Sequence, residues 1–146
     1  MKMENTIKTM REINPETVIL IQIGVFYHVY GKDAYILSYL FGYQIKTLEN
    51  SYNTCGLPKA GLIKILKVLE DNNINYMVVV KSRNYEVEEE MKFKTKNKYM
   101  EMYEKAYKYI TIKNRINEIY KYLLENIGTP DIKKKIQKVE ETLFES

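Results

Sequence analysis

The chain has 146 residues, of which 45% are hydrophobic and 29% charged, with a formal net charge of +4. This is the size of one ordinary domain and the balance of a soluble globular protein, and it excludes a disordered chain. A single cysteine, Cys55, and a single histidine, His28, exclude an internal disulfide and offer no zinc-ligand spacing, so neither a metal nor a cofactor is expected.

No apolar run reaches the roughly 18 residues needed to cross a bilayer, and the opening MKMENTIKTMREINPE lacks the apolar centre of a signal peptide. A cytoplasmic protein without membrane contact is expected. The positive charge permits a polyanionic partner but falls short of the strongly basic character of a dedicated DNA-binding module.

After a polar lead-in, Thr17 to Gly24 is β-branched and almost continuously apolar, as in a strand covered on both faces. Gly24 breaks it, and Phe26 to Tyr30 resumes as a second strand after a tight bend, with Phe26, His28 and Tyr30 on one face and Tyr27 packed on the other. Apolar positions at three-to-four spacing predict a helix from Lys32 to Phe41, closed by Gly42. Tyr43 to Leu48 reads as a strand, and Glu49 to Pro58, rich in Asn, Ser and Gly, as a loop holding Cys55. A helix from Lys59 to Asn72 carries an apolar stripe of Leu62, Ile63, Leu66 and Leu69. Ile74 to Lys81 is a further buried strand, and Tyr85 to Lys94 reads as an edge strand or an acidic hairpin arm.

From about Lys96 to Asn126 the pattern is helical, and after Gly128, Thr129 and Pro130 a second amphipathic helix runs from Asp131 to Phe144. The fold class is therefore α/β, a mixed β-sheet flanked by helices with a C-terminal helical hairpin. The expected division is an α/β domain over 1–94 and a helical extension over 95–146.

Taken together, Leu20 to Tyr30 (LIQIGVFYHVY), the following Lys32-Asp33-Ala34, and Gly56-Leu57-Pro58 opening a helix resemble the N-terminal mismatch-recognition domain of MutS proteins. In that family a strand ending hydrophobic-x-hydrophobic-G-x-F-Y-E leads into an acidic-Ala helix start, then a strand, a G-I/L-P turn, a helix and another strand. The resemblance covers roughly residues 13 to 93 and implies the fold of that domain in a stand-alone protein. It implies that Phe26 enters the minor groove and stacks on a mispaired base, and that the residue at position 28 meets the base edge. The family has Glu there and this chain has His28, which as a neutral ring donates and accepts where a carboxylate only accepts.

An aromatic wedge selects faulty base pairs because unstacking a base step costs least where pairing is already weak. The candidate nucleic-acid-binding residues are Phe26 and His28 at the groove, Lys59 and Lys64 beside the glycine-proline turn, and Lys94 and Lys96 in the lysine cluster from Lys92 to Lys98. The bland alternatives are a core Phe26, a hydrogen-bonded surface His28 and solvated lysines. No catalytic residues are expected: His28 has no Ser, Cys or acidic partner at motif spacing, and no G-x-x-x-x-G-K-[ST] phosphate loop is present. The expected partner is mismatched or distorted duplex DNA, or structured RNA. The alternative is an adaptor for a reverse transcriptase of a retroelement or for a larger repair protein, docked through the helical tail, whose apolar stripe would also serve self-association.

Overall fold

The computed structural model describes residues 3–48 and 52–145. Its elements are α1 (Met3–Ile13), β1 (Val18–Ile23), β2 (Phe26–Tyr30), α2 (Lys32–Phe41), β3 (Lys46–Thr47), β4 (Asn53–Pro58), α3 (Leu62–Asp71), β5 (Tyr76–Val80), β6 (Glu86–Met91), α4 (Tyr99–Glu125) and α5 (Ile132–Phe144). By its contacts the chain divides into a unit Met1–Lys108 and a unit Tyr109–Ser146.

The first unit is built on one sheet of order β3-β4-β2-β1-β5-β6. β1 and β5 lie parallel at its centre and every other pairing is antiparallel, so the sheet is mixed as expected. VILIQI, but for Gln22 near its end, and YMVVV are almost continuously apolar because both faces of the central strands are covered. On one face Val18, Leu20, Tyr27, Val29, Cys55 and Leu57 pack with Ile36 and Leu37 of α2 and with Ile65, Leu66 and Leu69 of α3. On the other, Ile19, Ile21, Tyr30, Met77 and Val79 pack under Met3, Ile7 and Met10 of α1.

That covering helix occupies the segment expected to be a polar lead-in. Met3, Ile7 and Met10 recur at helical spacing, and the polar residues between them form the solvent side.

A second correction concerns the expected loop Glu49 to Pro58. Residues 49–51 lie outside the described residues, and Asn53–Pro58 is strand β4, hydrogen-bonded to β2 on one side and β3 on the other. Turn-forming residue types yield to tertiary pairing here. Cys55 and Leu57 point into the core, and the Thr54 hydroxyl donates to the Val29 carbonyl at 2.9 Å. The expected strand Tyr43 to Leu48 shrinks to Lys46–Thr47.

On α3 the buried residues are Ile65, Leu66 and Leu69, with Leu62 partly buried beside them, and Ile63 is 84% exposed, so Ile65 replaces Ile63 in the reading of that helix. β6 is both alternatives at once, the edge strand of the sheet and the acidic arm of an antiparallel hairpin with β5. Its Glu86, Glu88, Glu89 and Glu90 are exposed, and Glu88 occupies a bulge between the Val78 and Val79 pairings. Charge and a bulge both guard an edge against adventitious strand pairing.

Asp33, at the start of α2, is buried against three donors: the Arg11 guanidinium, the Ile19 N–H at 2.9 Å and the Tyr99 hydroxyl. In the second unit, α5 follows the later turns of α4. Lys135, one turn into α5, reaches back to the Tyr122 hydroxyl at 2.6 Å and lies 5.0 Å over that ring, so the chain reverses at the turn between the two helices.

Candidate nucleic-acid interface

The β1–β2 hairpin turns through two residues, Gly24 and Val25. Gly24 has φ 63, a left-handed conformation at the first turn position that glycine adopts without strain. The turn places Phe26 opposite Ile23 on one side and Pro58 on the other, and His28 opposite Ile21 and Gly56. Strand alternation then separates the side chains of β2. Tyr27 and Val29 enter the core, while Phe26, His28 and Tyr30 share the face that α1 covers only in part.

Along that face exposure rises toward the hairpin: Tyr30 is buried, His28 is half-buried and Phe26 is 50% exposed. Gly56 and Pro58 of β4 are exposed beside them. Gly56 has no side chain to cover the His28 ring, whose Cε1 lies 3.7 Å from where a Cβ would stand. His28 stacks on Tyr30 with ring centroids 6.3 Å apart. Burial pulls the His28 imidazole below its ordinary value, so at neutral pH the ring is uncharged and carries one donor and one acceptor.

The lysines divide between two ends of the sheet. Lys59 follows Pro58 directly, and its N–H donates to the Val25 carbonyl at 3.3 Å, which fixes it beside the hairpin turn. Lys64 is exposed near the start of α3, the helix that packs on the opposite face from His28.

Lys94 and Lys96 lie elsewhere. Their segment is anchored by Asn75, whose Oδ1 accepts the Phe93 N–H at 2.7 Å, and by Asn97, whose Nδ2 donates to the Glu16 carbonyl at 2.8 Å. Glu16 and Asn75 precede β1 and β5, whereas Phe26 follows the far end of β1, a strand of six residues. At about 3.3 Å per residue the two sites are separated by roughly 20 Å. Lys94 and Lys96 therefore do not share a surface patch with Phe26.

Other basic residues occupy the Phe26 end. β5 runs parallel to β1 with Val80 beside Gln22, so the 3-10 turn Lys81–Arg83 that follows it emerges at the same end of the sheet as the hairpin. Lys81 and Arg83 are exposed. Two exposed apolar residues, Val25 in the turn and Ile63 in the first turn of α3, complete what the sequence reading missed. The signal for Lys81 and Arg83 was the K-S-R-N step between two strands, legible only once β5 was known to run parallel to β1.

Among the described residues no cluster of three His, Cys, Asp or Glu side chains is placed to hold a metal ion, and no helix is long and apolar enough to cross a membrane.

Comparison with curated proteins finds no match for the chain. A family model described as MutS domain I matches residues 1–101. The match takes in the whole sheet, α1 to α3 and the first residues of α4, so it begins before and ends after the span of 13 to 93 that the sequence motifs marked. With about two thirds of its length inside that model and the hairpin, helix and glycine-proline strand all in order, the chain belongs to the MutS domain I family, the mismatch-recognition domain of MutS proteins.

Proposed function

We propose that the chain reads distorted or mismatched duplex DNA without catalysing a reaction, with the Phe26 ring as the wedge. The observation that carries this reading is the half-exposed Phe26 at the open end of a strand whose other apolar residues are buried. In the minor groove the ring would enter a base step that is already poorly stacked, and the lower cost of opening such a step supplies the selectivity. His28, on the same face and neutral, would meet the base edge with one donor or one acceptor. It thereby takes the place of the family's carboxylate with a broader hydrogen-bonding range.

Lys59, Lys81 and Arg83 surround the hairpin end and are the residues proposed to neutralise phosphates. Lys64 stands as a further candidate on α3. Lys94 and Lys96, at the other end of the sheet, fall outside this proposed contact.

The test is fluorescence anisotropy of the full chain on matched, mismatched and single-base-bulged duplexes. The wild type should prefer the distorted duplexes, and Phe26→Ala should abolish the preference while leaving weak, salt-sensitive binding to all of them. Base stacking on an aromatic ring is worth about 1–3 kcal/mol, so the preference should fall by roughly five- to a hundredfold. Equal affinity for all three duplexes in the wild type would refute the reading.

A further inference from the structure

The second unit leaves a row of apolar side chains uncovered. Ile112, Ile116 and Ile119 on the later turns of α4, and Ile136, Val139 and Leu143 on α5, are between 37% and 66% exposed. Single exposed apolar residues are ordinary, but these recur at alternating steps of three and four, the spacing of a helix-packing seam. On α5 the series Ile132, Ile136, Val139, Leu143 has steps of four, three and four, with Ile132 buried at the turn. Two helices alone cannot enclose a core, whereas four can.

The charges on α5 indicate what covers the row. Lys133, Lys134 and Lys135 occupy its first turn and Lys138 its middle, and Glu140 and Glu141 lie toward its end, with Glu145 just beyond it. This order opposes the helix's own dipole, which favours acidic residues at the start and basic residues at the end. A second α5 laid antiparallel reverses both mismatches, because its acidic end lies beside the lysines. The stripe has matching symmetry. Turned about the midpoint between Gln137 and Lys138, Ile136 meets Val139 of the other copy, Leu143 reaches the turn at Ile132, and Lys133, level with Thr142, lies two residues from Glu140 on the same edge of the seam. A parallel copy would instead set each lysine cluster against its own image.

We propose that α5 and the exposed seam of α4 form a two-fold interface with a second copy of this chain, α5 against α5 antiparallel, so that two helix pairs make a four-helix assembly. The contact is isologous, the same patch serving both partners. It does not rest on the nucleic-acid reading.

Sedimentation equilibrium of the full chain, from low to high micromolar concentration, tests the interface. The wild type should show a reversible monomer–dimer equilibrium, Val139→Lys should be monomeric with unchanged helical circular dichroism, and Phe26→Ala should dimerise as the wild type does. Lys133→Glu and Glu140→Lys should each weaken the dimer by roughly tenfold, as two like-charge pairs replace two opposite-charge pairs. Mixing those two variants should restore a heterodimer, since each then presents the charge the other lacks. Rescue by mixing separates a pairing effect from a folding defect. A wild type that stays monomeric throughout, a dimer indifferent to all three substitutions, or a mixture that fails to reassociate would overturn the proposal.

Discussion

Tyr99, at the first position of α4, donates its hydroxyl to Oδ1 of Asp33 at 2.5 Å, joining residues 66 positions apart. The other oxygen of that carboxylate takes the Ile19 N–H and the Arg11 guanidinium, so α1, β1, α2 and α4 converge on one buried group. Burial raises the Asp33 carboxyl above its ordinary value, and Arg11 and the two other donors oppose that rise without cancelling it. The Tyr99 hydroxyl is pushed up, first by its own burial and then by the charge on Asp33, and it stays protonated and donating. A hydrogen bond to a charged group contributes about 1.5–3 kcal/mol, so Tyr99→Phe should lower stability by that amount in urea unfolding. A midpoint unchanged by the substitution would show the bond to be idle.

The same relationship predicts where the chain can be cut. A chain ending at 94 lacks Asn97, which bonds Asn75 and Glu16, and lacks Tyr99, which is fully buried in the core. It should be unfolded by circular dichroism and nuclear magnetic resonance, whereas a chain ending at 108 should retain a cooperative unfolding transition. Dispersed amide resonances from the shorter chain would contradict this.

Much of the fold was legible because its signals were local. β1, β2, α2 and β5 follow from unbroken β-branched runs, a turn glycine and three-to-four spacing, and their bounds fall within a residue or two of the expected ones. The misreadings were non-local. β4 is a strand because β2 and β3 flank it, against the turn preference of its Asn and Gly, and α1 is a helix because the sheet offers its three apolar residues a surface. The site divided in the same way. Phe26 and His28 could be placed on one face from strand periodicity, but which lysines lie near them depends on strand order and direction, which no local pattern carries.

Adjacent residues on β2 should behave oppositely when truncated. Tyr27 is 3% exposed and Phe26 50%. Tyr27→Ala empties a packed core position and should cost about 3–5 kcal/mol, whereas Phe26→Ala should cost about 1 kcal/mol or less. Thermal or urea unfolding of the two variants measures the contrast. Comparable losses would place the Phe26 ring in the core, and the wedge would go with it.

His28 makes stability depend on pH with a definite sign. Burial lowers its pKa in the folded chain, so the unfolded chain binds the proton more readily. The neutral ring's advantage is complete above the unfolded value of about 6.5 and is lost as pH falls from there through the lower folded value. The stability difference between the wild type and His28→Gln, which cannot titrate, should therefore be constant above about pH 7 and move against the wild type toward about pH 5. A difference that stays flat across that window would mean the ring is as well solvated as in the unfolded chain.

The geometry of the basic residues makes the salt dependence of binding specific to position. Each phosphate neutralised releases counterions, and the slope of log affinity against log salt steepens by about 0.9 per contact. Lys59 is held to the hairpin turn through Val25, and Lys81 and Arg83 emerge where β5 ends beside β1, all at the Phe26 end. A duplex whose minor groove holds Phe26 would bring its phosphates to these three. Lys94 and Lys96 sit with Asn75 and Asn97 at the opposite end of the strands. Lys59→Ala, Lys81→Ala and Arg83→Ala should each weaken binding to a bulged duplex and flatten the salt slope by about 1, while Lys94→Ala and Lys96→Ala should leave the slope unchanged. A reversed pattern, with the slope carried by Lys94 and Lys96, would move the nucleic acid to the far end of the sheet and away from Phe26.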